Sequence, residues 1–517
     1  MKSLVLYNFD EHEDRLISEI RKAKEVDERL SICSTLGYEL TERVCDALSD
    51  LVENIDPTEG KQLLTLALGG CKHNEYLNRI IYLAQKQMLL EKICLDDARF
   101  VPILEHGMVL QENRNLKEIS LCIASSEWRR IEMKSFCHAL KTCAPNLECL
   151  RLRTWTHRPR SCHDDYYRND SNMVNTTSWD EGLDLFLEAI VGKKSLVHIQ
   201  LQVLEMFSLE QKRCIERMLS DPNCRITKLD LRIQQISDTD HSTIQWLVPG
   251  IKQSKCLQML ELSGWKFANK DKDCLLQALN TCRHLEGFKF DTSQLQCDPN
   301  QLLMGLLQLD FLKEIDFYSN NPKKDDYDLD MELLMPLIVQ TTSLEKFNLT
   351  GTNFSTNVVN KLLKVLGSCE TLRCLKIINV PESSKVDDKS FLEPLNCCNL
   401  QQLQLVGFSP FVSKRTLFAY YQERREWFYN ALRQNPKLYR FGPGDFYGLT
   451  RFLETVDLPL LYMADLNRFG RMFSGKPEYR LLWPLLLAQV NEKLEENSQR
   501  QASTIFGLLS NGYLSSF

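Results

Sequence analysis

KLLKVLGSCETLRCLKI, residues 361–377, sets two cysteines five positions apart inside a run of leucines. On its own a C-x4-C spacing is weak evidence for metal. Ligand pairs usually sit two to four residues apart, and a second pair must close the tetrahedron. The other reading is one tooth of a repeat, and the rest of the chain decides between them. CLLQALNTCRHLEGFKF (274–290), SFLEPLNCCNLQQLQL (390–405) and SFCHALKTCAPNLECLRL (135–152) share its order: apolar helix, polar turn with cysteine, then L-x-x-L-x-L. The first apolar position of that hexamer recurs at Leu63, Leu90, Leu116, Leu147, Leu196, Ile226, Leu257, Leu285, Leu312, Leu344, Leu372 and Leu400. The steps are 27, 26, 31, 49, 30, 31, 28, 27, 32, 28 and 28 residues, so only the 49 departs from a period near 28. Twelve markers in phase make the stretch a repeat.

The period has a physical cause. In L-x-x-L-x-L the last two apolar residues alternate, so both point to one face of a short strand while their neighbours face outward. Between strands, DEGLDLFLEAIVGKK (180–194), SLEQKRCIERMLSD (208–221) and NEYLNRIIYLAQKQ (74–87) carry apolar residues at three- and four-residue spacing. That spacing predicts amphipathic helices. One strand and one helix cannot bury an apolar face alone, whereas stacked copies share a continuous core. The strands are therefore expected to pair in parallel, joined by helical crossovers.

Long repeats near 28 residues with a helix in each resemble the ribonuclease-inhibitor-like class of leucine-rich-repeat proteins. The resemblance spans nearly the whole chain. It implies an α/β leucine-rich-repeat solenoid (a horseshoe) with a parallel sheet on the concave face, helices on the convex face and a helical C-terminal cap. It implies little about activity, because the class includes inhibitors, receptors, adaptors and GTPase activators.

The composition, 43% hydrophobic and 26% charged over 517 residues, is that of a globular chain. A net charge of -6 supplies no basic footprint for nucleic acid. The opening MKSLVLYNFDEHEDRL is too short in apolar residues for a signal peptide, and MELLMPLIV and LLWPLLLAQV fall short of a bilayer span. The reading is an intracellular, cytoplasmic chain with a nuclear location left open, making no membrane contact and monomeric. Its 19 cysteines then need a reason other than disulfides. Cys143, Cys282, Cys369 and Cys397 recur three or four residues before a strand marker, where a small buried residue suits a tight turn. Cys149 and Cys374 occupy outward strand positions.

Three segments are expected: divergent N-terminal repeats over 1–62, the solenoid over 63–410, and divergent last repeats with a helical cap over 411–517. Two weak strands, around Leu4 and Leu6 and around Leu30 and Ile32, precede the twelve markers. The long step holds an insert, 153–180, whose His157, Cys162, His163, Asp164 and Asp165 lack a distant second ligand pair. It reads either as a polar loop or as a partner-contacting loop using Trp155, Tyr166, Tyr167 and the arginines of the insert. A second polar insert covers 318–330, and a further short strand is expected near Leu438 to Phe441. At the far end, Leu466, Asn467, Gly470 and Arg471, followed by Trp483 and Pro484, resemble the ending of a set of uncharacterised leucine-rich-repeat proteins of diatoms and related algae.

No phosphate loop is present, and H-E-x-x-H, G-x-S-x-G and G-x-G-x-x-G are absent. The reading is accordingly a scaffold or adaptor without catalysis, cofactor or metal, which binds a folded protein through the concave face. The alternative is a GTPase activator, since an arginine finger needs no motif, with Arg151, Arg153 and Arg232 as its exposed candidates. The register assigns the concave face Arg151, Arg153, Trp155, His198, Gln200, Lys228, Asp230, Arg232, Glu261, Lys289, Glu314, Asp316, Lys346, Asn348 and Lys376. Both charge signs occur, which favours a protein partner, unidentified by the sequence, over a polyanion.

Overall fold

A computed structural model describes residues 3–7, 13–22, 29–39, 41–53, 65–72, 79–80, 91–96, 115–124, 130–143, 145–155, 177–203, 207–233, 244–292, 295–318, 329–349, 361–362, 365, 369–378, 399–406, 435 and 440–442. The chain divides into two units, Met1–Glu286 with Gln294–Cys297, and Gly287–Ser293 with Asp298–Phe517.

The first unit contains strands β1 (Ser3–Tyr7), β2 (Arg29–Glu39), β3 (Thr65–Lys72), β4 (Lys92–Asp96), β5 (Glu118–Ala124), β6 (Cys149–Trp155), β7 (His198–Val203), β8 (Lys228–Ile233) and β9 (Met259–Ser263). Each pairs in parallel with the next in chain order. The apolar register runs unbroken through Leu4, Leu30, Leu66, Ile93, Ile119, Leu150, Ile199, Leu229 and Leu260. The two weak N-terminal strands thus keep the register of the strong ones. Helices α1 (Glu13–Lys22), α2 (Glu42–Glu53), α3 (Arg130–Cys143), α4 (Thr177–Ile190), α5 (Leu209–Ser220), α6 (Val248–Gln253) and α7 (Asn269–Thr281) lie between strands.

In the second unit, β10 (Gly287–Asp291), β11 (Glu314–Tyr318), β12 (Lys346–Leu349), β13 (Cys374–Ile378), β14 (Gln402–Val406) and β15 (Arg440–Gly442) again pair in parallel and in order, with α8 (Pro299–Leu307) and α9 (Met331–Gln340) among them. Phe288, Ile315, Phe347, Leu375, Leu403 and Phe441 form its apolar row. Sequential parallel strands joined through helices, with a buried leucine or isoleucine at the entry of each strand from β5 to β14, make this an α/β leucine-rich-repeat fold.

The repeat markers are the core. Ten of the twelve lie among the described residues, from Leu116 to Leu400, and none is more than 3% exposed. Burying such a side chain contributes about 1.5–3 kcal/mol, and each is buried only because a neighbouring repeat covers it. Helix faces supply the other side. In α5, Cys214, Ile215, Met218 and Leu219 are buried, and Ser208 caps the helix by accepting from Gln211 N–H while the Gln211 side chain accepts from Ser208 N–H. Phe136 of α3 stacks on Phe186 of α4 at 6.4 Å.

One backbone device repeats at the strand entries. A single carbonyl accepts two successive N–H groups of the next repeat: Lys117 O from Glu148 and Cys149, Glu148 O from Val197 and His198, Val197 O from Thr227 and Lys228. In the second unit Glu345 O does so for Arg373 and Cys374. The turn cysteines follow the same logic. Cys282 Sγ donates to Leu257 O of the preceding repeat at 3.8 Å, and Cys369 Sγ to Ile338 O at 3.5 Å, both thiols being buried. Their role is packing with a weak bond between repeats. Among buried thiols, Cys137 is pushed up to about 12 by burial and then by Glu188, which leaves it inert at neutral pH.

Gly264 is fixed by a close approach. It follows β9 at φ +73°, and a Cβ there would meet Ile233 O at 1.9 Å. Trp265 beside it is fully buried, donates its indole N–H to Leu231 O at 3.0 Å, and clusters with Phe207 and Trp246.

The bodies of both inserts, the turn Cys397, the markers Leu63 and Leu90 and everything after residue 442, including the expected cap, lie outside the described residues.

Candidate protein-interaction face

Strand alternation creates the face. Opposite the leucines, three rows of side chains cross the first unit. Lys92, Glu118, Cys149, His198, Lys228 and Met259 form the first row, and Cys94, Ser120, Arg151, Gln200, Asp230 and Glu261 the second. Arg153, Gln202, Arg232 and Ser263 form the third. Neighbouring strands are about 4.8 Å apart, so side chains in a row touch.

Most charges on this face neutralise one another. Lys92 Nζ reaches Glu118 Oε1 at 2.8 Å, and Arg151 Nη1 reaches the same oxygen at 3.5 Å. Arg232 is the centre of a second group. Its Nε donates to Asp230 Oδ1 at 2.9 Å and its Nη2 to Glu261 Oε1 at 2.6 Å. The guanidinium fork spans carboxylates on two strands, a geometry arginine offers and lysine does not. It covers them well: Asp230 is 2% exposed and Glu261 7%.

Between these groups lies an uncharged floor. Gln200 is 4% exposed, and Cys149 Sγ sits 3.3 Å from His198 Nδ1. Burial first, then the charges of Lys228 and Arg151, holds His198 down to about 4, so the ring is neutral at physiological pH. Burial, then Glu118, pushes the Cys149 thiol up. A neutral imidazole beside a protonated thiol is not an activated nucleophile, so the pair packs rather than reacts.

The second unit carries its own rows. Lys289 Nζ lies 2.9 Å from Glu314 Oε1 and 3.8 Å from Asp316 Oδ2, and Lys346 Nζ lies 3.3 Å from Glu314 Oε2. Burial alone would raise the Glu314 carboxyl, but the two ammonium groups hold it below the usual range. At Asp316 burial wins and the carboxyl is raised, despite Lys289 and a hydrogen bond from Asn348. Lys376 follows Asn348 in that row, and Cys374 lies in the row of Glu314 and Lys346, 3.9 Å from Gln402 Oε1.

The structure thus brings the expected residues onto outward rows but changes their standing. Arg151 and Arg232 are not exposed arginines: both are half-buried and paired with carboxylates, because their neighbours in the stack are acidic. Gln200, Asp230 and Glu261 are buried. Arg153 and Lys346 are exposed, and Lys228 is half-buried. Trp155 ends β6, and its side chain lies outside the described residues. Two participants escaped the sequence reading, Lys92 and Glu118. Each sits directly before the first core residue of its strand, Ile93 or Ile119, so extending the register toward the N-terminus finds them.

Among the described residues, no group of three or more His, Cys, Asp or Glu side chains is placed to hold a metal ion, and no helix is long and apolar enough to cross a membrane. No protein-family model and no curated protein matches the sequence. Among solved structures, the chain is similar to the leucine-rich repeat-containing protein LegL7 from Legionella pneumophila, with TM-score 0.38 and 13% identity over 65% of this chain and 97% of that one. The fold assignment rests on the chain's own strand order and leucine register.

Proposed function

We propose that this chain is a non-catalytic scaffold or adaptor of the ribonuclease-inhibitor-like class that binds a folded protein on the outward face of its strands. The observation that supports this most is a sheet face on which two cations remain outside the ion pairs among the described residues. Among the described residues, Arg153 and Lys228 make no ion pair with a carboxylate, whereas their neighbours are neutralised. A net charge of -6 favours protein over nucleic acid as partner. In this reading the chain acts as a monomer inside the cell, where packed thiols stay reduced, and its last 60 or so residues share the algal-type ending as a cap.

Capture from native extract, read by mass spectrometry, tests the face. Wild-type protein and the double variant R153E/K228E are compared, since neither residue holds an ion pair among the described residues and the fold should be unaffected. Loss of the captured set in the variant supports the reading, and an identical set with both proteins removes the face from it.

A further inference from the structure

We infer that the patch formed by β6, β7 and β8 takes an extended acidic peptide segment, with two carboxylates about five residues apart. The inference rests on the outward face being the docking surface, and it names the chemistry of what docks there.

Charge comes first. On the outward positions of these three strands Arg151, Arg153, Lys228 and Arg232 stand against a single carboxylate, Asp230. That carboxylate is 2% exposed and covered by Arg232, so an incoming ligand meets cations. Glu118 and Glu261 compensate from the flanking strands, and each is committed to a cation already named. Among the described residues, Arg153, which is exposed, and Lys228 make no ion pair with a carboxylate. Among the described residues, such a face satisfies its own interior pairs and presents two further cations to a partner.

Geometry sets the spacing. Arg153 is in register with Gln202 and Arg232, and Lys228 lies four residues before Arg232 on the same strand. Two strand spacings and four strand rises separate the two cations by roughly 10 Å in one direction and 13 Å in the other, a diagonal of about 16 Å. An extended peptide rises about 3.3 Å per residue, so carboxylates about five residues apart meet both cations at once. The floor between them is His198, Gln200 and Gln202, which offers hydrogen bonds without charge. Four cations across three strands do not make the continuous stripe that tracks a nucleic-acid backbone, and the chain's net charge of -6 opposes a polyphosphate at long range.

Fluorescence anisotropy on the full chain tests the pairing. The probe is a labelled peptide of about twelve residues, neutral except for two glutamates five apart, with the double glutamine version as its control. Binding of the glutamate peptide at low salt should weaken about tenfold or more in R153E/K228E and stay unchanged in K346E, while the glutamine peptide does not bind. Equal binding to R153E/K228E, absence of binding, or tighter binding of a single-stranded RNA through the same two residues would each overturn the inference. If R153E/K228E loses its captured proteins while the acidic peptide never binds, the scaffold reading survives and the acidic occupant is discarded.

Discussion

The outward faces of β8 and β9 and of β10 to β12 solve their charge problem differently. On β8 and β9 one guanidinium holds two carboxylates, and both carboxylates are buried. On β10 to β12 two ammonium groups hold one carboxylate, and Glu314 and Asp316 stay half-buried. The difference follows from the donors. A planar fork delivers two directed bonds and can lie flat over its acceptors, while an ammonium is a hydrated point charge on a flexible stem. Burial depth on an outward row is therefore set by which cation spans it, and a charge read as available from sequence can be internal structure.

The comparison breaks most visibly at Arg232. R232E places a third carboxylate against Asp230 and Glu261 and removes their shared donor, so unfolding should cost about 3 kcal/mol less than in wild type, the low end for a broken buried pair because Arg232 itself is partly exposed. R153E, one row-mate away, should stay within about 0.5 kcal/mol. Urea unfolding of both proteins measures the contrast, and equal losses would show that the pairing around Arg232 is not structural.

A smaller effect is expected at Lys289. K289M leaves Glu314 with Lys346 alone, at 3.3 Å, and should cost about 1 kcal/mol, in keeping with a partly exposed pair. It also removes the larger of the two ammonium contributions that oppose burial at Glu314, whose carboxyl should move upward. In wild type that carboxyl sits below its ordinary value, so its contribution is present above the unfolded value of 4.5 and lost as pH falls through the folded one. Titration of the Glu314 carboxyl by NMR, in wild type and K289M, follows the shift; a carboxyl that does not move would show that Lys289 contributes nothing there.

The finest distinction is at His198. Held down to about 4 against an ordinary 6.5, it takes up a proton in the unfolded chain before it does so in the folded one. Its contribution is complete above about pH 6.5 and declines as pH falls toward 4. In H198Q the slope of stability between pH 7 and 5 should flatten while the value at pH 7 changes little. A slope identical to wild type would place the acid sensitivity elsewhere.

Much of this was legible in the residues. The L-x-x-L-x-L spacing identified strands and parallel register as far as Leu4 and Leu30, and the buried markers from Leu116 to Leu400, because alternation within a strand and a constant period are local properties of a chain. It also placed Arg151, Asp230, Arg232 and Lys289 correctly on outward rows. The cysteine reading followed too, since Cys282 and Cys369 recur at one place in the turn and are buried there. What spacing left open was the standing of each outward side chain. Arg232 meets Glu261 across 29 residues of sequence, and Glu118 meets both Lys92 and Arg151 on adjoining strands. Which cation reaches which carboxylate depends on rotamers and on burial by neighbouring repeats, and neither is written in the period. The sequence by itself determined that the chain repeats, which residues enter the core and which face outward. Only the tertiary structure decided that, among the described residues, Arg151 and Arg232 are held by carboxylates and Arg153 and Lys228 are not, because an ion pair forms between side chains that packing brings within a few ångströms.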